Sequence, residues 1–196
     1  MFTGIVSSIG KIHKTLPREG GLRLSIDAGM LDLSDVALGD SIAVNGICLT
    51  VITMHGDQFE VDVSQETINC TVGLEVPTEV NLEKSLRLSD RLGGHLMSGH
   101  VDGVGEVLRF EPAGESFLLT LRAPQDLAKY IARKGSITVN GVSLTVNRVD
   151  GAEFDINLIP HTIAQTNLKH FKPGSRVNLE VDLIARYIER LQHYGA

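Results

Sequence analysis

The sequence has no tryptophan, and aromatic residues make up only 5% of its 196 positions. It therefore has few of the flat side chains on which proteins stack nucleic-acid bases. Acidic residues outnumber basic residues by 24 to 18, which gives a formal net charge of −6, and no Lys/Arg-rich run occurs. Such a composition argues against binding to nucleic acid or to an anionic membrane surface.

Long apolar segments and a cysteine framework are also missing. No apolar run approaches the ~18 residues that a membrane-spanning helix needs. The first residues lack the basic and apolar regions of a signal peptide, so a cytoplasmic location is expected. Cys48 and Cys70 do not form a metal-type spacing. Two cysteines in a cytoplasmic chain are expected to be free thiols.

What the sequence does contain is an internal repeat. The segment VNGICLTV at 44–51 returns as VNGVSLTV at 139–146, with an offset of 95 residues and six of eight positions identical. The same offset aligns most of the chain, and a duplicated, fused domain explains it. The sequence therefore predicts an N-terminal unit at 1–92, a C-terminal unit at 93–182 and a terminal segment at 183–196.

The repeated segment predicts a β-hairpin and a polar strand face. Asn-Gly between apolar runs favours a type I′ turn. In the strand that follows, side chains alternate between two faces, so Cys48 and Thr50 share one face, as do Ser143 and Thr145 in the second copy. Each polar pair either meets a ligand or is satisfied at a strand end. Its presence in both copies favours a ligand site.

The remaining pattern predicts an all-β fold. Short segments of alternating polarity are separated by Gly- and Pro-containing turns, at intervals of roughly 8–15 residues, which indicates a small closed antiparallel barrel of about six strands in each copy. The predicted short helices are 31–38, 64–70, 126–133 and 160–167. The segment 183–191 has no counterpart in the first copy, and its apolar residues follow a helical spacing. This helix must pack against the barrels or against other subunits.

Four motifs together closely resemble riboflavin synthases of the alpha-chain type. They are MFTGIV at 1–6, the doubled NGxxLTV, GGHLMSGHV at 93–101 and LIPxT at 158–162. The resemblance extends to about residue 190. It implies two tandem six-stranded Greek-key β-barrels and a C-terminal helix that joins three chains into a homotrimer. It leaves open an association with lumazine synthase.

The resemblance also implies an activity that needs neither a metal nor an organic cofactor. Proteins of this family convert two molecules of 6,7-dimethyl-8-ribityllumazine into riboflavin and 5-amino-6-ribitylaminouracil by transfer of a four-carbon unit. A reaction between two copies of one molecule suits two similar pockets, because holding both molecules supplies proximity. In the family, the productive pair is the N-terminal barrel of one subunit and the C-terminal barrel of its neighbour.

Carried over position by position, the resemblance implies two equivalent sets of site residues. The N-terminal pocket is expected to be lined by Phe2, Gly4, Ile5, Val6, Cys48, Leu49, Thr50, Asp62, Val63, Ser64, Gln65, Glu66 and Thr67, with Ser41 nearby. The C-terminal pocket is expected to be lined by Gly99, His100, Val101, Ser143, Leu144, Thr145, Asn157, Leu158, Ile159, Pro160, His161 and Thr162, with Lys134 contributed across the interface.

His100 is the first candidate for catalysis because it breaks the repeat, replacing Ile5 of the first copy. The reaction requires removal of a proton from the C7 methyl group of the lumazine, and imidazole titrates in the useful range. The alternative is a hydrogen-bonded structural histidine. His95, in the same motif, is expected to be structural. The two histidines have no clear third partner, so no metal site is expected.

Four further residues complete the candidate catalytic set. Cys48 either adds to C7 of the acceptor molecule, directly or by helping water, or fills a gap as a small buried thiol. Ser143 is its counterpart and marks the asymmetry between the pockets. Ser41 either donates a hydrogen bond to the same centre or serves the architecture of the strand, because Ser136 occupies the equivalent position of the second copy. Lys134 either stabilises an anionic intermediate or is a solvated turn residue.

Two other functions are compatible with a duplicated barrel. A non-catalytic lumazine- or flavin-binding accessory protein has the same duplicated barrel, but the presence of His100, Ser143 and Thr145 favours the enzyme. A barrel that binds a flavin for redox work is disfavoured, because the sequence has no Gly-rich nicotinamide-binding motif after a strand.

Overall fold

In the computed structural model, which describes residues 1–194, the chain forms two closed antiparallel β-barrels of six strands each. The first barrel contains β1 (Ser8–Arg18), β2 (Gly21–Asp27), β3 (Ser41–Val44), β4 (Ile47–His55), β5 (Gln58–Ser64) and β6 (Glu79–Lys84). The second contains β7 (Gly103–Ala113), β8 (Ser116–Arg122), β9 (Ser136–Val139), β10 (Val142–Asp150), β11 (Glu153–Leu158) and β12 (Arg176–Val181). The helices are α1 (Gln65–Cys70), α2 (Pro160–Gln165) and α3 (Leu183–Tyr194).

The two barrels have the same topology. The order of neighbours around the first barrel is β1-β2-β5-β4-β3-β6, and adding six to each number gives the order around the second. Strands β3, β4 and β5 are joined by hairpins, and β2 lies beside β5. These four strands form a Greek key. The predicted all-β duplication is therefore confirmed. None of the helices in residues 1–194 is long and apolar enough to cross a membrane.

Local sequence signals predicted several elements correctly. Asn45 and Gly46 have φ angles of 49° and 80°, and the equivalent Asn140 and Gly141 have 46° and 80°, as a type I′ turn requires. Helices α1 and α2 lie within the short helices predicted from the sequence. The terminal helix is also present as α3, while Gly195 and Ala196 of the predicted terminal segment lie outside the described residues.

The other two predicted helices are wrong. Residues 31–38 form an irregular segment, because acidic side chains there bind backbone amides locally: Asp32 accepts from the Ser34 amide, and Asp40 accepts from the Ala37 amide, each at 2.9 Å. Such bonds compete with the helical pattern. Only a single 3-10 turn, Ala128–Tyr130, forms within the predicted helix 126–133.

Both barrels are filled by the apolar faces of their strands. Leu49 and Val51 of β4 are buried, as are Leu144 and Val146 of β10. The intervening Cys48 and Ser143 are partly exposed, and Thr50 and Thr145 are exposed. The predicted division of these strands into an apolar and a polar face is therefore confirmed. The polar faces remain available for contacts outside the barrel.

Buried asparagines form hydrogen bonds between the barrels, and the bonds of the two repeats are related by approximate two-fold symmetry. Asn81 Nδ2 donates to Asn167 Oδ1 at 2.9 Å, and the Asn167 amide donates to Asn81 Oδ1 at 2.7 Å. Asn178, the equivalent of Asn81, donates to the Val72 carbonyl at 3.1 Å and accepts from the Val72 amide at 2.9 Å. Val72 is the equivalent of Asn167. The two repeats thus contact each other through the same surface.

Replacing Asn81 by alanine is expected to lower the free energy of unfolding by about 2–4 kcal/mol, because buried polar groups of Asn167 and the Asn140 carbonyl lose their partners. Equilibrium unfolding in urea measures this change. Asn69→Ala, at an exposed position of α1, is the control and should change stability by less than about 0.5 kcal/mol. Equal effects of the two substitutions would contradict the prediction.

Candidate functional site

Two short segments, one at the start of each repeat, lie between the barrels. The first lip is residues 2–6, and the second lip is residues 97–101. They form an antiparallel bridge in which the Phe2 amide donates to the Met97 carbonyl at 2.8 Å and the Met97 amide donates to the Phe2 carbonyl at 3.1 Å. Both side chains are fully buried, with Cys48 packed against them. Phe2 is therefore an anchor of the lips.

A buried glutamate holds each lip at its own repeat. The Glu83 carboxylate in β6 accepts from the Thr3 amide at 2.7 Å, the Thr3 hydroxyl at 2.6 Å and the Gly4 amide at 2.9 Å. Glu180 in β12 accepts the three equivalent bonds from residues 98–99, at 2.6 to 3.0 Å. Burial raises the pKa of Glu83, although its donors oppose this effect.

Each lip then crosses to the barrel of the other repeat. The Cys48 amide in β4 donates to the Gly99 carbonyl at 2.8 Å, and the Ser143 amide in β10 donates to the Gly4 carbonyl at 2.9 Å. Neither glycine leaves room for a side chain: a Cβ on Gly99 would lie 2.7 Å from the Cys48 Cβ, and one on Gly4 would lie 2.5 Å from the Ser143 Cβ. The lips are therefore packed directly onto the polar strand faces.

This exchange corrects the grouping of site residues that the sequence predicted. Val6 packs against the core of the second barrel, and Val101 packs against the core of the first. The prediction assigned each lip to the pocket of its own repeat, because an alignment of equivalent segments does not show which barrel a crossing segment reaches. The residues that contact the barrel opposite to the predicted one are Gly4, Val6, Gly99 and Val101, whereas Ile5 lines a cavity with Ser41 and Ile42 of the first barrel, as predicted.

The first barrel brings three predicted site residues to one strand face. Ser41 in β3 is the register partner of Thr50 in β4, and Cys48 lies two residues away on the same face. The second lip crosses this face at Cys48, and His100, which follows in the lip, is exposed. Ser41, Cys48, Thr50 and the second lip therefore lie together, and the candidate base His100 directly follows the residue of the lip that bonds to the candidate nucleophile Cys48.

The end of β5 and the start of α1 form another predicted part of this site. Ser64 caps the helix by accepting from the Thr67 amide at 3.1 Å, and the two hydroxyls lie 3.0 Å apart. Asp62 forms an ion pair with Arg23 at 2.7 Å, and hydrogen bonding by Arg23 lowers the pKa of this carboxyl group. Gln65 and Glu66 lie on the exposed side of the helix.

The equivalent stretch of the second barrel has a different lining. Ile159 caps α2 without a side-chain hydrogen bond and is 55% exposed, and Pro160 and His161 beside it are also exposed. Asn157 accepts from the Ser116 hydroxyl at 2.9 Å. Four other predicted lining residues have side chains in the barrel cores; they are Leu49, Val63, Leu144 and Leu158.

Ser143 has a partner that the sequence did not reveal. Its hydroxyl lies 2.6 Å from Nδ1 of His95, and the Thr138 hydroxyl lies 3.4 Å from Nε2 of the same ring. His95 is buried, and burial lowers its pKa. Thr138 and Ser143 are register partners in β9 and β10. The sequence signal that could have predicted this contact is the pair of hydroxyl side chains, Thr138 and Ser143, on one face of adjacent strands. Such a pair suits a polar side chain packed against it.

We expect His95 to make the protein less stable in acid. Because its pKa is lower when folded than when unfolded, the unfolded chain binds the proton more readily as the pH falls below about 6.5. When the pH is lowered from about 7.5 to about 5.5, the free energy of unfolding should therefore fall more in the wild type than in His95→Gln. Urea unfolding at these two pH values measures the difference. The exposed His55→Gln variant should keep the wild-type slope. Equal slopes in all three proteins would contradict the assignment.

Lys134 lies in a turn whose conformation favours glycine. Its φ angle is 67°, and its equivalent in the first repeat is Gly39, with a φ angle of 94°. The Lys134 amide donates to the Val146 carbonyl in β10 at 2.7 Å, and the Gly39 amide donates to the Val51 carbonyl in β4 at 2.8 Å. A lysine in this left-handed region costs about 1 kcal/mol relative to glycine. The turn itself does not require a lysine. Of the two alternatives for Lys134, this favours an electrostatic role of the exposed ammonium group over a role in the turn.

Comparison with known proteins identifies the class to which this architecture belongs. A family model described as the lumazine binding domain matches the chain twice, at residues 3–85 and 98–182. The chain belongs to the lumazine-binding domain family.

Curated relatives define the kind of protein more closely. The riboflavin synthase of Photobacterium phosphoreum is 46% identical over 193 residues, which cover 97% of this chain and 88% of the relative. Those of Bacillus subtilis (strain 168) and Brucella abortus (strain 2308) are 43% and 42% identical, over 98% and 99% of this chain and 90% and 99% of the relatives. This chain is an enzyme of the riboflavin synthase kind.

Solved structures show the same fold with ligands. LumP complexed with riboflavin superimposes with a TM-score of 0.84 and 31% sequence identity, over 92% of this chain and 99% of LumP. LumP complexed with 6,7-dimethyl-8-(1'-D-ribityl) lumazine has a TM-score of 0.82, with the same identity and coverage.

Proposed function

We propose that this chain catalyses the dismutation of two 6,7-dimethyl-8-ribityllumazine molecules into riboflavin and 5-amino-6-ribitylaminouracil by transfer of a four-carbon unit. The observation that carries the proposal is the pair of equivalent polar strand faces, each crossed by a lip from the other repeat. Two similar sites suit a reaction whose donor and acceptor are the same compound. The relation to riboflavin synthases and to a lumazine-binding structure supports this assignment.

The two sites differ at two positions, and the proposed reaction requires a difference because one lumazine is the donor and the other is the acceptor. His100 and Cys48 serve the first barrel, where the equivalent residues at the second barrel are Ile5 and Ser143. In our proposal, His100 accepts a proton from the C7 methyl group of the lumazine in the first site. Cys48 adds to C7 of the other lumazine, the acceptor, directly or by helping water, Ser41 donates a hydrogen bond at that centre, and Lys134 stabilises negative charge on the intermediate.

We further propose that the active form is a homotrimer in which the first barrel of one chain faces the second barrel of its neighbour. The support is the terminal helix α3, none of whose residues is buried. Its apolar side chains remain exposed to more than half of their full area: Ile184, Tyr187, Ile188, Leu191 and Tyr194. Such a stripe is typical of a surface that another subunit covers. An association with lumazine synthase, the domain boundaries and the cytoplasmic location stay predictions.

The experiment that tests the activity is a turnover assay with purified protein and 6,7-dimethyl-8-ribityllumazine, in the presence of a metal chelator. Riboflavin should form at half the molar amount of the substrate consumed. Tight binding of the lumazine without any turnover would contradict the proposal. That outcome would instead indicate an accessory lumazine-binding protein.

A further inference from the structure

The second lip is held on both sides of His100. Before it, Glu180 accepts three hydrogen bonds from residues 98–99. After it, the Asp102 amide donates to the Leu179 carbonyl at 2.8 Å, and Asp102 Oδ2 accepts from the Val181 amide at 2.8 Å. Strand β12 therefore fixes the backbone at both ends of the lip.

Arg186 of helix α3 connects this arrangement to the terminal helix. Its guanidinium group forms an ion pair with Asp102, and its Nη2 donates to the backbone carbonyl of His100 at 3.2 Å. The Asp102 side chain is only 13% exposed. One side chain of the helix thus binds the candidate base's own peptide group and the carboxylate two residues beyond it.

The first lip has a different arrangement. Ser7 occupies the position of Asp102, and its amide donates to the Leu82 carbonyl at 2.9 Å as the Asp102 amide does to Leu179. The carboxylate is therefore specific to the second repeat, as are the helix and the histidine. The carboxylate follows the lip that carries the histidine, and Arg186 of the helix binds both of them.

We propose that Arg186 and Asp102 are positioning residues that fix His100 relative to Cys48, so that docking of helix α3 is coupled to the placement of the candidate base. This inference rests on the proposed function. A displacement of about 1 Å at a catalytic group lowers rates by up to about 100-fold. The helix that presents the apolar stripe therefore also acts on the reaction through its opposite side.

A separate contact between α3 and the second barrel provides a matched control. Glu189 binds Lys129 and the Tyr130 hydroxyl. Arg186→Ala and Glu189→Ala each remove one docking contact of the helix, but only Arg186 touches the His100 segment. We expect kcat of Arg186→Ala to fall about 10- to 100-fold, with lumazine affinity within about threefold, whereas Glu189→Ala keeps kcat within about threefold. Arg186→Lys, which can still pair with Asp102, should recover part of the loss.

A second measurement does not depend on turnover. Amide hydrogen exchange of residues 98–101 should be at least about tenfold faster in Arg186→Ala and unchanged in Glu189→Ala. If the wild-type protein forms no riboflavin, the proposed function fails, while the exchange rates still decide whether Arg186 fixes the lip. If the wild type is active and Arg186→Ala retains its kcat and exchange rates, the proposed function stands and the inference is overturned.

Asp102→Asn tests the same pair without changing the helix. It should reproduce the fall in kcat while leaving the mass of the assembly, measured by light scattering, unchanged. Loss of folding or assembly in both Arg186→Ala and Asp102→Asn would show that the pair serves the fold, and it would overturn the inference.

Discussion

Replacing His100 by alanine is expected to lower kcat for riboflavin formation by about 10²- to 10⁴-fold, the usual contribution of a positioned general base. The side chain is exposed, so that its removal leaves no cavity in a barrel core. The affinity for lumazine, measured by fluorescence titration, should therefore change much less than kcat. Steady-state turnover at saturating lumazine measures the effect.

The matched control is His55→Ala. His55 is also exposed, but it lies at the far end of β4 from Cys48. This variant should retain wild-type turnover. If His100→Ala keeps kcat within tenfold of the wild type, the proton is removed by another group, and His100 is a structural histidine.

Charge placed on the apolar stripe of α3 is expected to have the second large effect. Ile188→Glu combined with Leu191→Glu should convert the assembly into single chains, because each side chain contributes about 1.5–3 kcal/mol when it is fully buried and a buried unpaired carboxylate is costly. Riboflavin formation should fall more than about 100-fold, since donor and acceptor sites no longer meet. Light scattering and the turnover assay measure the two effects.

Gln192→Glu is the control for this experiment, because it adds a charge at an exposed helix position outside the stripe. It should keep both the assembly and the turnover. Binding of lumazine to the dissociated double variant should persist, since each barrel and its crossing lip belong to one chain. Wild-type turnover by a protein that light scattering shows to be a single chain would contradict the proposed pairing of neighbouring subunits.

Local chemistry made much of the fold predictable. Each hairpin turn is determined by two consecutive residues, Asn45-Gly46 in the first repeat and Asn140-Gly141 in the second. The alternation of apolar and polar residues in the following strand determines which face is buried. The segment 31–38 could not be predicted in the same way. Its apolar spacing is helical, but Asp32 and Asp40 capture backbone amides that a helix would use.

The site was less predictable because its contacts join distant parts of the chain. A repeat alignment treats the two barrels as interchangeable, so it cannot show that Gly99 bonds to Cys48 and Gly4 to Ser143. The contact between His95 and Ser143 spans 48 residues and follows no local pattern. The resemblance implied a set of candidate residues, and the tertiary structure was needed to decide which of them meet.

The crossed lips also bear on how a two-barrel chain could have arisen. A chain with one repeat would need a second copy to supply its lip, and two identical copies would complete each other in a two-fold symmetric homodimer. In that ancestor every substitution would occur twice. In the fused chain, which is joined through residues 86–94, the two equivalent positions are free to differ: position 100 is a histidine and position 5 is an isoleucine. In the proposed reaction, a fused chain with two unequal repeats can therefore treat two identical substrate molecules differently.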